Sequence, residues 1–224
     1  MHTDKLSTLI ELRNKKVIDI GAGDGATALK IAALGALVTG IEISQEKVAI
    51  AQAKAVANTC FLLGRAEALP VPDESQDLAC FFFSLHHIPL DVQDAAFNEV
   101  RRVVKSGGRM HVADPLPDGT MSEVLKVVDD ETHMRTGSHA NLDRLVQSAS
   151  GFSLITRDEY TIVRRFTDFA ALIRRTVAVD PARLERLPEV QNELERRFQE
   201  LAVWEGDHYT LLQPCVMYDF SVSS

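Results

Sequence analysis

A chain of 224 residues, 46% hydrophobic and 25% charged, has an ordinary globular composition and the length to bury one sizeable core. Its formal net charge of −8 disfavours a nucleic-acid partner, because binding a phosphate backbone draws on a basic surface that releases counterions. The apolar runs, of which Leu78–Leu85 is a long example, fall far short of the roughly 20 residues needed to cross a bilayer, so no membrane span is expected.

Met1–Arg13 sets Asp4, Lys5 and Glu11 among scattered leucines and lacks the unbroken apolar stretch of a secretory signal. Cys60, Cys80 and Cys215 are odd in number, widely spaced and set in apolar surroundings, which fits reduced thiols packed in a core. A cytoplasmic protein is the expectation, as a single domain over residues 1–224. No metal is expected.

Strand-length apolar runs alternate with helix-period segments through the first half, the pattern of βαβ units and a parallel sheet. Val17–Ile20 reads as a first strand, Gly21–Gly25 as a tight loop, and Ala26–Leu34 as a helix ending at Gly35. Leu37–Ile41 is a second strand, Ser44 a cap for a helix over Gln45–Ala57, and Thr59–Leu63 a third strand. Ala66–Gln76, broken by Pro70 and Pro72, is a connection leading to the wholly apolar strand Leu78–Phe83.

Val92, Ala95, Ala96, Val100, Val103 and Val104 recur at helical spacing, with Ser106-Gly107-Gly108 as the stop and Arg109–Ala113 as a fifth strand. Helical segments at Ser122–Asp130 and Leu142–Ala149 then interrupt the alternation and are read as a lid insert over about 115–150. Phe152–Arg165 should hold a sixth strand, and Thr167 a cap for a helix through Ala178. Val190, Leu194, Phe198 and Leu201 make one apolar stripe on the next helix, with Glu193 and Arg197 paired outside it. Leu211–Val222 is a last strand, bent by Pro214 or lying at an edge. Arg164, Arg165, Arg174 and Arg175 sit among acidic residues and read as solvated faces.

The strongest local signal is Val17-Ile18-Asp19-Ile20-Gly21-Ala22-Gly23-Asp24-Gly25, a strand running into alternating glycines and then a helix. Glycine there lets backbone approach a ligand closely and permits positive φ. Glu42, followed by Ile43, ends the next strand beside this loop, and its two oxygens can accept both hydroxyl hydrogens of a ribose. Gly21, Gly23 and Ala26 also satisfy the looser nicotinamide-dinucleotide fingerprint. Charge separates the two cofactors. A dinucleotide brings an anionic pyrophosphate, whereas S-adenosylmethionine brings a sulfonium and an ammonium with one carboxylate. Asp19 and Asp24 flank the loop, and each unit charge about 5 Å from a ligand is worth on the order of 3 kcal/mol at an effective dielectric near 20.

These residues resemble the class I S-adenosylmethionine-dependent methyltransferases, in particular the group similar to the C-methyltransferases of ubiquinone and menaquinone biosynthesis. The resemblance runs in order through Val17–Gly25, Gly40-Ile41-Glu42, Gly64–Asp77, Phe81–Ile88, Glu99–Gly108 and Asp130–Phe152. It implies a three-layer, doubly wound α/β sheet of seven strands, ordered 3-2-1-4-5-7-6 with strand seven antiparallel, plus a helical lid. It also implies that Asp19, Gly21, Ala22 and Gly23 wrap the methionine part of the cofactor, that Glu42 binds the ribose, that Ile43 beside it contacts the cofactor, and that Ala66 and Glu67 contact adenine. Arg65 stands where the family often has an acid, and its guanidinium plane could stack on the adenine ring.

Ligands of open α/β sheets bind outside the carboxyl ends of the strands, so Ser84-Leu85-His86-His87-Ile88 should face the transferred methyl. By resemblance, the backbone at Phe83 and Ser84 meets the methionine amino group, and His86 or His87 faces a small-molecule methyl acceptor. A neutral imidazole can take the acceptor's proton, and His87 is the preferred base. His133, in the lid segment Asp130–Arg135, could close over the acceptor or pin the lid, while Leu125, Val128 and Met134 read as lid packing.

Two other functions compete. A nicotinamide oxidoreductase lacks a hydride-transfer pair such as Tyr-x-x-x-Lys, since Tyr160 is followed at that spacing by Arg164. A non-catalytic, methyltransferase-like binding protein would keep the loop and Glu42 without turnover. The chain leaves the acceptor, the atom methylated and the oligomeric state open.

Overall fold

The computed structural model describes residues 2–147 and 150–223. After a short helix α1 (His2–Leu9), strand and helix alternate as β1 (Lys16–Ile20), α2 (Ala26–Ala33), β2 (Leu37–Glu42), α3 (Gln45–Ala53), β3 (Thr59–Leu63), β4 (Gln76–Phe82), α4 (Gln93–Val103) and β5 (Val104–Pro115). A one-turn 3-10 helix, Leu85–His87, lies between β4 and α4. Then follow α5 (Thr120–Leu125), α6 (Thr132–Gln147), β6 (Phe152–Phe166), α7 (Phe169–Val179), α8 (Arg183–Leu201), β7 (Val203–Trp204) and β8 (Tyr209–Val222).

The sheet order is β3-β2-β1-β4-β5-β8-β6, with the two-residue β7 paired antiparallel to β8 off this path. Because β7 takes one number, β8 is the seventh main strand, antiparallel in the sheet, and the expected 3-2-1-4-5-7-6 order holds. The central strand β4 is apolar over Leu78–Phe82 and buried along that whole length, as a parallel strand covered on both faces must be. Register fixes the row on which the site is built: Asp19 stands opposite Gly40 on β2 and Cys80 on β4, and Cys80 stands opposite His111 on β5.

Several expectations are corrected. Helix α4 ends at Val103 because Val104 turns extended, and β5 begins there, with Ser106-Gly107-Gly108 inside the strand and Gly107 at φ +76°. α3 stops at Ala53 rather than Ala57, where the Thr59 hydroxyl takes the Val56 N–H at 2.8 Å and turns the chain toward β3. Asp168, not Thr167, caps α7, its carboxylate accepting the Ala171 N–H at 2.6 Å. The helices between 115 and 150 are α5 and the longer α6, which starts at Thr132; Ala149 lies outside the described residues. β8 is interior rather than an edge, and the Pro214 carbonyl accepts the Leu116 N–H at 2.9 Å.

Cys60 is exposed, because β3 is an edge strand that buries only Phe61, while Cys80 and Cys215 are buried as expected. Arg165, Arg174 and Arg175 are exposed and Arg164 is half-buried. The Ser44 cap forms, its hydroxyl accepting the Lys47 N–H, and Arg197 Nε donates to Glu193 at 2.9 Å.

The chain forms two compact units. The first comprises Met1–Asp114, Gly137–Asp158 and Met217–Ser224. Its core holds Ile18, Ile20, Ile41, Phe81, Leu85, Met110 and Val112, all buried. The proline-broken connection ahead of β4 is fastened there by Arg102, whose guanidinium grips the Glu99 carboxylate at 2.7 Å twice and donates to the carbonyls of Leu69 and Val71. The second unit comprises Pro115–Thr136 and Glu159–Val216. Its own core gathers Val124, Val128, Phe166, Leu172, Leu194, Phe198 and Leu211, and Leu125 packs against it. Among the described residues, no helix is long and apolar enough to cross a membrane.

Candidate functional site

The site lies in the first unit, at the carboxyl ends of β1, β2, β4 and β5. The loop after β1 turns back at once: the N–H groups of Gly21 and Ala22 both donate to the Ile41 carbonyl, at 2.8 and 2.9 Å. That hairpin demands φ of +79° at Gly21 and +57° at Gly23, which L side chains adopt rarely. A Cβ built on Gly23 would meet nothing within 4 Å, so the loop presents bare backbone to open space. One bulkier element crosses behind it. Ser84, buried, donates its hydroxyl to the Ile20 carbonyl at 2.6 Å and ties the segment after β4 to the glycine loop.

Two carboxylates sit under this loop. Glu42 accepts the Gly23 N–H and the Ser44 N–H, each at 2.9 Å, one on each oxygen. An ionised carboxylate has about four acceptor sites, so each oxygen keeps capacity for a hydroxyl. Asp19 is 1% exposed, and its Oδ2 has no hydrogen-bond partner. Burial, then the nearby Glu42 charge, pushes the Asp19 carboxyl up to about 7. The Cys80 thiol beside it is pushed up as well, by burial and by Asp19. A buried acid with an orphaned oxygen suits a positively charged ligand, and the pair would repel a pyrophosphate.

Asp24 adds little to this field. Its carboxylate turns to Lys54, whose ammonium donates to it at 2.6 Å and holds it below the usual carboxylate range. Of the other cofactor candidates, Ala22 is buried, Ile43 is 60% exposed, and Ala66 and Glu67 form a half-buried turn just after β3. Arg65 ion-pairs with Glu67, which engages the guanidinium that could have stacked on adenine. Phe83 has φ +58°, a left-handed conformation an aromatic residue rarely takes, and its N–H donates to the Ala113 carbonyl at 2.9 Å. This kink redirects the chain out of β4 into the histidine turn.

The turn places the two histidines differently. His86 is 3% exposed, and its Nδ1 lies 2.9 Å from both oxygens of Asp114, which is fully buried at the end of β5. His87 is exposed, its ring centroid 4.1 Å from that of His86. With Asp114 ionised, Nδ1 carries the ring proton and the lone pair sits on Nε2, the arrangement that makes an imidazole a base of defined direction. Sequence reasoning did not single out Asp114. Its place, directly after the fifth strand at the carboxyl edge of the sheet, was the signal that could have found it. His133 is exposed on the first turn of α6, among the residues of the second unit, and the first unit holds Asp19, Gly21, Ala22, Gly23, Glu42, Phe83, Ser84, His86 and His87.

Residues 18–112 match a family described as a methyltransferase domain. An uncharacterized methyltransferase, YcgJ, of Bacillus subtilis is 38% identical over 133 residues, 55% of this chain and 51% of that protein. A ubiquinone/menaquinone biosynthesis C-methyltransferase of Rubrivivax gelatinosus is 34% identical over 93 residues, 42% of this chain and 36% of that protein. The chain thus spans about half the length, or less, of these curated relatives. The crystal structure of the Bacillus subtilis YcgJ protein superposes with a TM-score of 0.67 at 22% identity, covering 99% of this chain and 97% of that one, which shows a shared fold. Between the two cofactors left open by the glycine loop, the match to a methyltransferase domain over residues 18–112 favours S-adenosylmethionine.

Proposed function

We propose that this chain is a class I S-adenosylmethionine-dependent methyltransferase that transfers a methyl group to a small-molecule acceptor by in-line displacement, a reading supported by the methyltransferase-domain match over residues 18–112. The observation that carries this reading is the pair of carboxylates under the glycine loop, with one Asp19 oxygen buried and unpartnered. When bound, S-adenosylmethionine supplies a methyl group on a cationic sulfur whose leaving group is a neutral thioether.

The chain's own residues then have three tasks. Asp19 offers negative charge to the cationic end of the cofactor, and Glu42 offers acceptor oxygens to the ribose hydroxyls. The exposed glycine backbone lets the ligand lie close, and the turn at Ala66 and Glu67 borders the base. His86, steered by Asp114, takes the proton that the acceptor loses as the new bond to carbon forms. We assign this role to His86, whose Nδ1 lies 2.9 Å from both oxygens of the buried Asp114. The rest of the acceleration comes from aligning the reactants and excluding water.

We place the protein in the cytoplasm, in keeping with an odd number of widely spaced cysteines. The test is release of S-adenosylhomocysteine in the presence of a panel of hydroxyl, amine, thiol and carbon-acid acceptors. Tight cofactor binding with no product from any class would favour the non-catalytic reading; tight NAD binding without S-adenosylhomocysteine binding would remove the assignment.

A further inference from the structure

The residue that holds the histidine turn in place is Gln93, at the start of α4. It is completely buried, an expensive site for an amide unless every polar atom is matched. Its Nε2 lies 3.1 Å from the Leu85 carbonyl, 3.1 Å from the Ile88 carbonyl and 2.7 Å from the Ser138 hydroxyl. Its Oε1 accepts from Asn141 Nδ2 at 2.9 Å, and the same Asn141 amide donates to the Leu90 carbonyl at 3.2 Å. Leu85 and Ile88 are the residues that flank His86 and His87.

The geometry is not that of a helix cap. The position before α4 is Val92, which makes no side-chain cap bond, and Gln93 directs its amide away from its own helix toward the turn and toward α6. α6 in turn lies hard against this segment: a Cβ on Gly137 would fall 2.4 Å from Leu90 Cδ1. The turn is therefore gripped from two sides. Ser84 fastens it to the glycine loop through the Ile20 carbonyl, and Gln93 fastens it to Ser138 and Asn141 of α6, all within the first unit.

We propose that Gln93 is a positioning residue for methyl transfer: its carboxamide, set by Ser138 and Asn141, fixes the turn that aims His86. The inference rests on the reading of His86 as the base. Gln93 touches neither ligand nor reacting atom and acts only through the backbone it holds. A slack turn would misplace His86, and a misplacement of about 1 Å costs on the order of 10²-fold in rate.

The test compares Gln93→Leu with wild type in full-length protein. Turnover should fall on the order of 10²-fold, the S-adenosylhomocysteine dissociation constant should stay within about twofold, and the His86 ring ¹⁵N and Nδ1–H resonances should shift as the bond to Asp114 loosens. Asn141→Ala, which only unseats the carboxamide, should show the same changes in smaller measure and serves if Gln93→Leu does not fold. Combining the two substitutions should be no worse than Gln93→Leu alone, because both act through one contact. A lower melting temperature with unchanged turnover and unchanged His86 resonances would overturn the proposal, as would equal loss of cofactor affinity and turnover. His86→Ala with undiminished turnover would remove the base assignment instead, while the His86 resonances in Gln93→Leu still decide whether the clamp exists.

Discussion

Gly21 lies so close to Ser84 that a Cβ on the glycine would stand 2.5 Å from the serine Cβ. Gly21→Ala should therefore suffer twice, from the left-handed backbone, which costs roughly 1–2 kcal/mol, and from the collision. Ser84→Gly in the same chain should recover the steric part and leave the backbone part. Thermal melting and calorimetry on the two single variants and the double variant would check this, with the double variant more stable than Gly21→Ala alone.

Glu42→Ala should weaken S-adenosylmethionine binding by roughly 1.5 to 3 kcal/mol, the scale of lost hydrogen bonds to a charged group. Part of that loss reflects the loop itself, since Glu42 also holds the N–H groups of Gly23 and Ser44. Glu42→Gln, which keeps the shape and one acceptor oxygen, should lose less. Calorimetric affinities equal to wild type in both variants would take Glu42 out of the cofactor site.

The raised Asp19 carboxyl gives cofactor binding a pH dependence. Burial is the larger cause, Glu42 on the neighbouring strand adds to it, and Asp19 in turn raises the Cys80 thiol. A cationic ligand favours ionised Asp19, so affinity should rise with pH through about 7 and level off above it, with about a tenfold deficit one unit below. The stability of the ligand-free protein runs the other way. The unfolded chain ionises Asp19 near the model-peptide value of 3.8 and the folded chain near 7, so this group's contribution falls between those values and stays low above them. Asp19→Asn should thus raise the ligand-free melting temperature at about pH 8, weaken S-adenosylmethionine binding, and flatten its dependence on pH.

Asp114→Asn tests the dyad. The amide keeps the shape but no longer favours a proton on Nδ1 of His86, so turnover should fall by about 10²-fold or more with cofactor affinity unchanged. Initial rates under saturating acceptor, set beside calorimetry with S-adenosylhomocysteine, give the comparison.

Much of the fold around the candidate site was legible in the sequence. The glycine loop, Glu42 and the five parallel strands rest on local signals: residue type, short spacing and apolar period. Ser44 as a cap is of the same kind. The Asp114 partner of His86 was not legible because it is made by two strand ends 28 residues apart in the chain, which only sheet register brings together. The sequence reading prefers His87 as the base and our proposal takes His86, because neighbours on a tight turn look alike in sequence and face different surroundings in space. Val104 was read as a helix residue because its period fits; the sheet took it instead, through pairing with Gln76. Cys60 looked buried because a hydrophobic edge strand and a central one share a composition.

That Cys60 stands exposed at the amino end of β3 while Cys80 and Cys215 are sealed in the interior has a practical use. Maleimide reagents should attach one fluorophore or spin label per chain without any cysteine being engineered. Because a parallel strand begins at the far end from its carboxyl tip, such a label would stand clear of the proposed cofactor site.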